Sequence, residues 1–329
     1  MLEKNFVCDS EDIRLDHFLT DRFQVSRNQI TELIKKGLVS VDNKIVIKTG
    51  AKLKKGQLLY VQEVEKEDRS NNMDIDFDVP IVFEDEDILV VNKPPFLTVH
   101  PAPSVKEPTL TDWMKAKNIS RSTISGDERE GIVHRIDKET SGALVIAKNN
   151  SSHMSLAKQL ENRTLGRYYL ALIDYPLKDD IIVDKPIARH PKNRLKMGVV
   201  ENGKDAKSAF CKLLTCEEEN IELIGAKLYS GRTHQIRVHL NAIGRHILGD
   251  DLYGFKSQRV KINRVMLHAY CLHLIHPKNG KKMSFVAPLY DDFKEQLKKF
   301  FTKEKIDETI NVDNLNNRFD FFSERLQKS

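Results

Sequence analysis

The sequence predicts an α+β fold. A mixed, mainly antiparallel β-sheet with flanking helices forms the larger domain, and a small α/β domain precedes it. Three observations support this prediction. The length of 329 residues favours two domains over one. Between residues 10 and 64, two amphipathic helical segments are followed by short strands. From residue 81 onward, apolar runs of strand length separated by turn residues predominate.

The composition is that of a globular protein, with 40% hydrophobic and 31% charged residues. The 53 basic and 48 acidic residues give a net charge of +5, which by itself identifies no partner. Because the chain has no apolar run of eighteen residues and no signal-peptide core at its start, a cytoplasmic protein is expected. The four cysteines lack zinc-ribbon spacing, so we expect reduced thiols and no bound metal.

The first domain is predicted over residues 10–64. Its first helix is indicated by apolar side chains at helical spacing, namely Leu15, Phe18, Leu19 and Phe23. Residues 26–29 have the pattern of a capping box that begins a second helix, and Gly37 suits the end of that helix. The turn residues Asp42 and Asn43 then join two short strands over 38–47, and residues 58–64 supply another strand.

Two polar segments border the second domain, which is predicted over residues 80–301. Residues 62–78 contain seven acidic and two basic residues without periodicity, so the sequence predicts an acidic linker over 65–79. Residues 302–329 are charged, with an amphipathic piece around 319–326, and are predicted to form a partly helical C-terminal tail.

The second domain is predicted to contain hairpins, helices and further strands. Hairpins are expected over 81–91 and 270–286, helices over 110–117, 151–162, 232–243 and 289–301, and further strands over 166–172 and 207–228. Trp113, the only tryptophan, is expected to pack in the core.

The centre of this domain carries a chemically varied loop. Two apolar runs of strand character, 131–133 and 143–147, flank the polar residues 134–142. Within nine residues this loop holds an imidazole, two cations, two carboxylates and two hydroxyls. A plain hairpin needs only two to five connecting residues, so the loop is longer than the connection requires. Reactive side chains on a loop between rigid strands are typical of an active site.

Residues 134–142, His-Arg-Ile-Asp-Lys-Glu-Thr-Ser-Gly, resemble the His-Arg-Leu-Asp-x-x-Thr-Ser-Gly signature of the RluA/RluD family of pseudouridine synthases. The departure at Ile136 is a swap of similar volume. Three further segments resemble blocks of the same family in the same order: 92–101, 166–172 and 231–239. Phe96 stands where the first of these blocks has glycine, so the turn geometry there is expected to differ.

The resemblance implies roles for individual residues. Asp137 falls on the catalytic aspartate, and Arg135 on the arginine that helps to displace the target uridine. Tyr169 falls on the tyrosine that stacks on the base, and Arg232 on the arginine that faces the catalytic aspartate. Two further substrate-binding positions are expected within the signature, His134 and Thr140. The resemblance also implies a catalytic domain of the pseudouridine-synthase type.

The first domain resembles the S4 RNA-binding domain, through its helix-helix-strand order, Arg-Leu-Asp at 14–16 and Ser-Arg at 26–27. Residues 11–60 carry ten basic and six acidic residues, a local excess of 10 − 6 = +4. Together with the resemblance, this excess favours a face that follows RNA phosphates. The expected phosphate contacts are Arg22, Arg27, Lys35 and Lys36.

The implied reaction breaks the uridine N1–C1′ bond, turns the base and rejoins it through C5. It requires an ionised carboxylate beside the sugar and a base lifted out of its stack, but no cofactor. Asp137 would attack C1′, attack C6 or remove a sugar proton, and the sequence leaves these open. Large-subunit ribosomal RNA is the expected substrate, with transfer RNA and a non-catalytic RNA-binding role as alternatives. An RNA methyltransferase is disfavoured, because the second domain has no glycine-rich cofactor turn.

Overall fold

The computed structural model describes residues 2–23, 27–63, 75–102, 105–126, 129–254 and 262–327. The chain forms two compact units. The first comprises residues 1–74 together with 123–130, and the second comprises 75–122 and 131–329. No helix in the described part of the chain is both long and apolar enough to span a bilayer.

The described residues of the first unit form two helices and two small sheets. Its elements are β1 (Leu2–Val7), β2 (Ile13–Arg14), α1 (Leu15–Phe23), α2 (Arg27–Lys35), β3 (Val39–Val41), β4 (Lys44–Ile45), β5 (Lys52–Leu53) and β6 (Leu58–Glu63). The antiparallel order is β1-β6-β3-β4, with β2 paired to β5. The two predicted helices and the hairpin are confirmed, and the turn residues Asp42 and Asn43 both have positive φ. The predicted cap at Ser26 lies outside the described residues.

The predicted start of this unit at residue 10 is wrong. Strand β1 pairs along its whole length with β6, from Leu2 opposite Glu63 to Val7 opposite Leu58. Its sequence, Leu-Glu-Lys-Asn-Phe-Val, lacks strict alternation of apolar and polar residues, so its strand character was not evident.

The second unit is built on one large sheet. Its elements are β7 (Ile81–Glu84), β8 (Ile88–Lys93), α3 (Leu110–Ala116), β9 (Ser141–Ala147), α4 (Asn150–Glu161), β10 (Gly166–Asp174), β11 (Ile181–Asp184), β12 (Ile187–Arg189), β13 (Met197–Val199), β14 (Lys207–Cys216), β15 (Ile221–Leu228), α5 (Gln235–Ala242), β16 (His246–Ile247), β17 (Leu267–Ile275), β18 (Lys282–Val286), α6 (Asp291–Phe300), α7 (Lys303–Thr309) and α8 (Val312–Gln327).

The strand order of the large sheet is β11-β14-β15-β10-β17-β9-β8-β7, with β16 on β10 and β18 on β17. The pairing of β9 with β17 is parallel, and the other pairings in this sheet are antiparallel. The prediction of a mixed, mainly antiparallel sheet with flanking helices is therefore confirmed. The expected strand over 131–133 is wrong, because only a single bridge joins Ile132 to Ile146.

The parallel pairing brings two backbones unusually close at Gly142. This residue lies opposite Ala269 and has φ +117°, and a Cβ there would lie 2.2 Å from the Ala269 carbonyl oxygen. Only glycine fits this position. The glycine that ends the polar loop thus joins the loop to the middle of the sheet.

Two predicted boundaries of the second unit need correction. Residues 75–79 do not belong to a linker, since Ile75 and Phe77 pack against the large core and Val79 is buried. The residues from 302 onward do not form a separate tail, since Leu315 and Phe319 of α8 are fully buried in the same core. The Phe319 ring lies 5.2 Å from that of Tyr168. The helical character predicted for this segment is correct.

The buried position of Phe319 makes α8 a stabilising part of the second unit. Phe319→Ala should lower the unfolding free energy by about 3–5 kcal/mol, because it removes a ring from a packed core. The fluorescence of Trp113, which is buried in the second unit, reports this transition in urea. The exposed Asn317→Ala on the same helix is the matched control, with an expected change within about 0.5 kcal/mol. Equal stabilities of the two variants would show that α8 does not contribute to the fold.

A buried histidine supports the start of β9. His268 lies opposite Ser141, and its Nε2–H donates to the Ala287 carbonyl at 3.0 Å, so its Nδ1 accepts from the Ser141 hydroxyl at 2.8 Å. Burial lowers the pKa of His268 to about 4. Since the unfolded-state pKa is about 6.5, the unfolded chain binds more protons between these values. The neutral imidazole therefore stabilises the fold above about pH 6.5, and this contribution is lost as the pH falls towards 4.

Replacing His268 should reduce the acid sensitivity of the second unit. Between pH 7.5 and 5 the wild-type unfolding free energy should fall by roughly 2 kcal/mol more than that of His268→Gln, whose amide N–H replaces the Nε2 donor. Urea titrations followed by Trp113 fluorescence at both pH values measure the difference. Identical losses in the two proteins would exclude His268 as the titrating group.

Candidate active site

The polar loop places Asp137 in a surface cleft of the second unit that is open to solvent. The loop turns sharply after Asp137, because the Thr140 N–H donates to the Asp137 carbonyl at 3.1 Å. The Asp137 side chain retains 19% exposure, so its carboxylate is accessible from the cleft. The residues that line the cleft include Arg135, Asp137, Thr140, Tyr169, Arg232, His234 and Arg237.

Arg237 holds the Asp137 carboxylate. It lies near the start of α5 and is buried, with Nη1 at 3.4 Å from Asp137 Oδ2. Its Nε and Nη2 each donate to the buried Asp250 at 2.7 Å, which is a bidentate pair. Burial alone would lower the pKa of Arg237, but the hydrogen bonds to Asp250 and the charges of both carboxylates raise it above its usual range. A permanent cation therefore lies beside the Asp137 carboxylate.

The expected pairing of Arg232 with Asp137 is wrong. Arg232 is exposed and lies in the turn before α5, and its Nε donates to the Asp205 carbonyl at 3.0 Å. It still lines the same cleft. The sequence predicts a helix from residue 232, whereas α5 begins at Gln235. Of the two arginines in this segment, Arg237 is therefore the one on the buried face of α5.

His234 is a further neighbour of Asp137 that the sequence did not identify. It has φ +56°, and its Nε2 lies 4.0 Å from Asp137 Oδ2. Its Nδ1 is 3.0 Å from the hydroxyl of Tyr253, which also accepts the Met197 N–H at 2.7 Å. Burial lowers the pKa of His234, although the Asp137 charge opposes this effect. A neutral imidazole that accepts the tyrosine proton at Nδ1 presents its Nε2–H to the carboxylate.

Tyr169 and Tyr168 project to opposite faces of β10, as alternation along a strand requires. Tyr169 lines the cleft, and burial raises the pKa of its hydroxyl to about 12, so it remains neutral. Tyr168 instead packs on Phe319 of α8. Of the two tyrosines, only Tyr169 offers an aromatic surface to the cleft.

The remaining predicted residues of the loop have different surroundings. Arg135 is exposed, with Nη1 at 3.5 Å from His100 Nε2, and it lines the cleft. Thr140 is buried and also lines the cleft. His134 does not line the cleft, so its placement gives it no contact with a base bound beside Asp137. Its Nε2 accepts the Val145 N–H at 3.2 Å, and burial lowers its pKa to about 3.

Two buried cations that the sequence analysis did not identify, Lys93 and Arg264, donate hydrogen bonds to the backbone of the polar loop. Lys93 Nζ donates to the carbonyls of Pro94, Leu97 and Lys138 at 2.7, 2.8 and 3.2 Å. Burial lowers the pKa of Lys93 to about 7, although the Asp137 charge opposes this effect. Arg264 pairs with Asp292 and donates to the Glu139 carbonyl at 3.4 Å. The available signal was a lysine at the end of a buried strand, directly before two prolines.

In the turn after Lys93, Phe96 occupies the position at which the family block has glycine. Phe96 has φ +65°, and its side chain is 51% exposed. The chain therefore adopts there a left-handed conformation that glycine enters at lower cost.

A basic hairpin adjoins the site. Strands β12 and β13 pair antiparallel, and residues 185–196 carry no acidic side chain. Its basic residues are Lys185, Arg189, Lys192, Arg194 and Lys196. The hairpin is linked to the cleft through the hydrogen bond from the Met197 N–H to Tyr253. These basic residues are close together in the sequence, but the sequence analysis assigns them no role in RNA binding.

The basic residues predicted in the first unit lie on its surface where they can be described. Arg22 is 43% exposed and pairs with Asp9, and the exposed Lys36 lies 3.9 Å from Glu32. Lys35 is exposed at the end of α2, while the side chain of Arg27 lies outside the described residues. Exposed ion pairs of this kind contribute little to stability, so their cations can exchange partners.

One cluster in the described part of the chain has the composition of a metal site, but it lies outside the cleft. It consists of Asp85, Asp87 and His276. Asp85 already accepts the Asp87 and Ile88 N–H groups and contacts His276 Nε2 at 2.7 Å, while Asp87 accepts from Asn149. These hydrogen bonds stabilise the turn between β7 and β8, which explains why the three side chains lie close together.

Comparison with known proteins gives consistent results for both units. Residues 87–242 match the family described as RNA pseudouridylate synthase, and residues 13–59 match the S4 domain. An uncharacterised RNA pseudouridine synthase of Helicobacter pylori strain J99 is 45% identical over 325 residues, which cover 97% of this chain and 99% of the relative. The ribosomal large subunit pseudouridine synthase D of Zymomonas mobilis is 36% identical over 85% of this chain and 91% of its own.

A solved structure supports the same assignment. Human RNA pseudouridylate synthase domain containing 1 superposes with a TM-score of 0.54 at 25% sequence identity, covering 66% of this chain and 86% of its own. The resemblance noted in the sequence is thereby confirmed. With relatives this similar over nearly its full length, the chain belongs to the RNA pseudouridine synthases of the RluD type and carries an S4 RNA-binding domain at its N-terminus.

Proposed function

We propose that this enzyme isomerises specific uridines of large-subunit ribosomal RNA, with Asp137 as the catalytic carboxylate acting on a uridine lifted out of its stack. The observation that carries the proposal is the position of Asp137. Its accessible carboxylate lies 3.4 Å from the buried Arg237, in a cleft that Tyr169 also lines.

The geometry suits the demands of the reaction. The N1–C1′ bond breaks, a C5–C1′ bond forms, and the proton lost from C5 is balanced by one gained at N1. The Asp137 carboxylate supplies the nucleophile or base for these steps, and Arg237 holds it in position. The Tyr169 ring offers a stacking surface for the everted base, a contact worth about 1–3 kcal/mol. Arg135, at the exposed edge of the cleft, would occupy the space that the base leaves in the RNA.

The substrate class follows from the basic surfaces and from the relatives. The exposed cations of the S4 domain and the hairpin of β12 and β13 supply sequence-independent phosphate contacts. Two relatives, of Zymomonas mobilis and Nitrosomonas europaea, carry the name ribosomal large subunit pseudouridine synthase D. We therefore assign ribosomal RNA as the substrate. Because ribosomes are made in the cytoplasm, the enzyme acts there.

Replacing Asp137 should abolish the modification. In a host depleted of the protein, mapping of pseudouridines in total RNA should reveal lost sites in large-subunit ribosomal RNA. Re-expressed wild type should restore them, whereas Asp137→Asn should lower the rate on the order of 10⁴-fold and leave them unmodified. Restoration by Asp137→Asn would refute the catalytic role, and loss of sites in transfer RNA alone would refute the assigned substrate.

Arg232 and Arg237, the two arginines of the segment 231–239, should have separable effects. Arg237→Lys removes the fork that joins Asp137 to Asp250, so it should lower kcat by roughly 10- to 100-fold. Arg232→Lys keeps a cation at the exposed edge of the cleft and should change kcat by less than about threefold. Steady-state kinetics on the RNA identified by mapping measure both. A larger loss of kcat in Arg232→Lys than in Arg237→Lys would contradict the assigned pairing.

A further inference from the structure

A second opening in the same unit adjoins the cleft of Asp137. It is a surface groove that encloses about 1140 Å³ of empty space when the adjoining open solvent is included. Its charged lining residues are Arg135, Glu161, Arg163, Arg167, Asp205 and Arg232. Four guanidinium groups against two carboxylates give the groove an excess positive charge. Because Arg135 and Arg232 line both openings, the groove begins where the cleft ends.

The groove contains a buried cation with an unused donor. The Arg167 side chain is only 6% exposed, and its Nε has no hydrogen-bond acceptor in the described part of the chain. No ion pair of Arg167 occurs among the described residues either. Buried charges in proteins are almost always paired, and buried donors almost always find acceptors. A buried guanidinium without an ion pair lacks a counter-ion, and a bound anionic ligand would supply one.

His134, on the same groove, provides a second unused donor. Since its Nε2 accepts the Val145 N–H, its proton resides on Nδ1. That nitrogen is also buried and has no partner in the described part of the chain. Arg167 and His134 thus both line the groove, and each has a buried donor without an acceptor in the described part of the chain.

Gly231 leaves the space in which the Arg167 guanidinium lies. A Cβ added at Gly231 would lie 2.7 Å from Arg167 Nη1, so any other residue would push the guanidinium aside. This close approach places Arg167 against the residue directly before Arg232. The groove is therefore shaped around Arg167 by the same segment that lines the cleft.

We propose that this groove binds a phosphodiester of the substrate RNA immediately next to the target uridine, with the phosphate oxygens accepting from Arg167 and His134. A phosphate provides several acceptors and a negative charge, which matches a buried guanidinium with an adjacent neutral donor. Arg135 and Arg232 flank the chain where it passes from groove to cleft. The inference rests on the proposed function, because it takes the nucleotide in the cleft to be the target uridine.

The test measures RNA binding without turnover, so it does not depend on whether Asp137 is catalytic. Full-length protein carrying Asp137→Asn is titrated with a fluorescent hexauridylate at several salt concentrations, with inorganic phosphate as a separate competitor. Arg167→Met should weaken binding about tenfold at low salt. It should also reduce the slope of log K against log salt by about 0.7, the value for one phosphate contact on a single strand.

Two further variants make the test specific. Arg245→Met, which removes a half-buried arginine outside both openings, should leave the affinity and the slope unchanged. Gly231→Ala, which displaces the guanidinium and retains its charge, should reproduce the loss seen in Arg167→Met. The fluorescence of Trp113 shows whether each variant is folded. If Arg167→Met does not fold, the affinity of Gly231→Ala for the RNA tests the role of Arg167 instead.

The outcomes separate the possible ligands. Unchanged binding and slope in the folded Arg167→Met or Gly231→Ala protein would overturn the proposal, and would indicate that the buried donors bind water. Full competition by inorganic phosphate without any effect of Arg167→Met on RNA binding would also overturn it, since the groove would then hold a free anion. A third outcome is that Arg167→Met reduces the salt dependence of RNA binding while Asp137→Asn still forms pseudouridine. That result would support the phosphate site in the groove and refute the catalytic role of Asp137.

Discussion

The site depends on one guanidinium that lies between two carboxylates. Arg237 is fixed by a bidentate pair with the buried Asp250 and directs its remaining nitrogen to Asp137. The Tyr253 ring lies 5.0 Å from the guanidinium carbon, and the Tyr253 N–H donates to Asp250. A buried charge is costly unless it is fully paired, and here one cation serves two anions. Removing Arg237 would leave two carboxylates without their shared cation, so the position of Asp137 and the packing of α5 depend on each other.

The loop that carries Asp137 is held by backbone contacts more than by its own side chains. Gly142 binds its end to the sheet at a distance that admits no Cβ, and Lys93 and Arg264 donate to the carbonyls of Lys138 and Glu139. Such preorganisation fixes the carboxylate before RNA arrives, so little reorganisation is needed during the reaction. The exposed side chains of the loop, notably Arg135, remain available to the RNA.

Much of this arrangement was predictable from local patterns. The turn at Asp42 and Asn43, the periodicity of α1 and the signature around Asp137 are short-range features, and all of them correspond to observed elements. The errors share a physical cause, because they concern contacts between residues distant in sequence. Whether Arg232 or Arg237 meets Asp137 depends on where α5 begins, and a shift of three residues rotates the helix by most of a turn. The pairing of β1 with β6, and the burial of Phe319 against Tyr168, likewise need the folded chain.

The central claim is that Asp250, Arg237 and Asp137 act as one unit, and a double-mutant cycle tests it most directly. The single-turnover rate of pseudouridine formation is measured for Arg237→Lys, Asp250→Asn and the double variant, on RNA from the depleted host. Residues that act together are strongly non-additive. The double variant should therefore be no slower than the slower single variant. A double variant slowed by the product of the two single effects would show that Asp250 and Arg237 act independently, and would contradict the account.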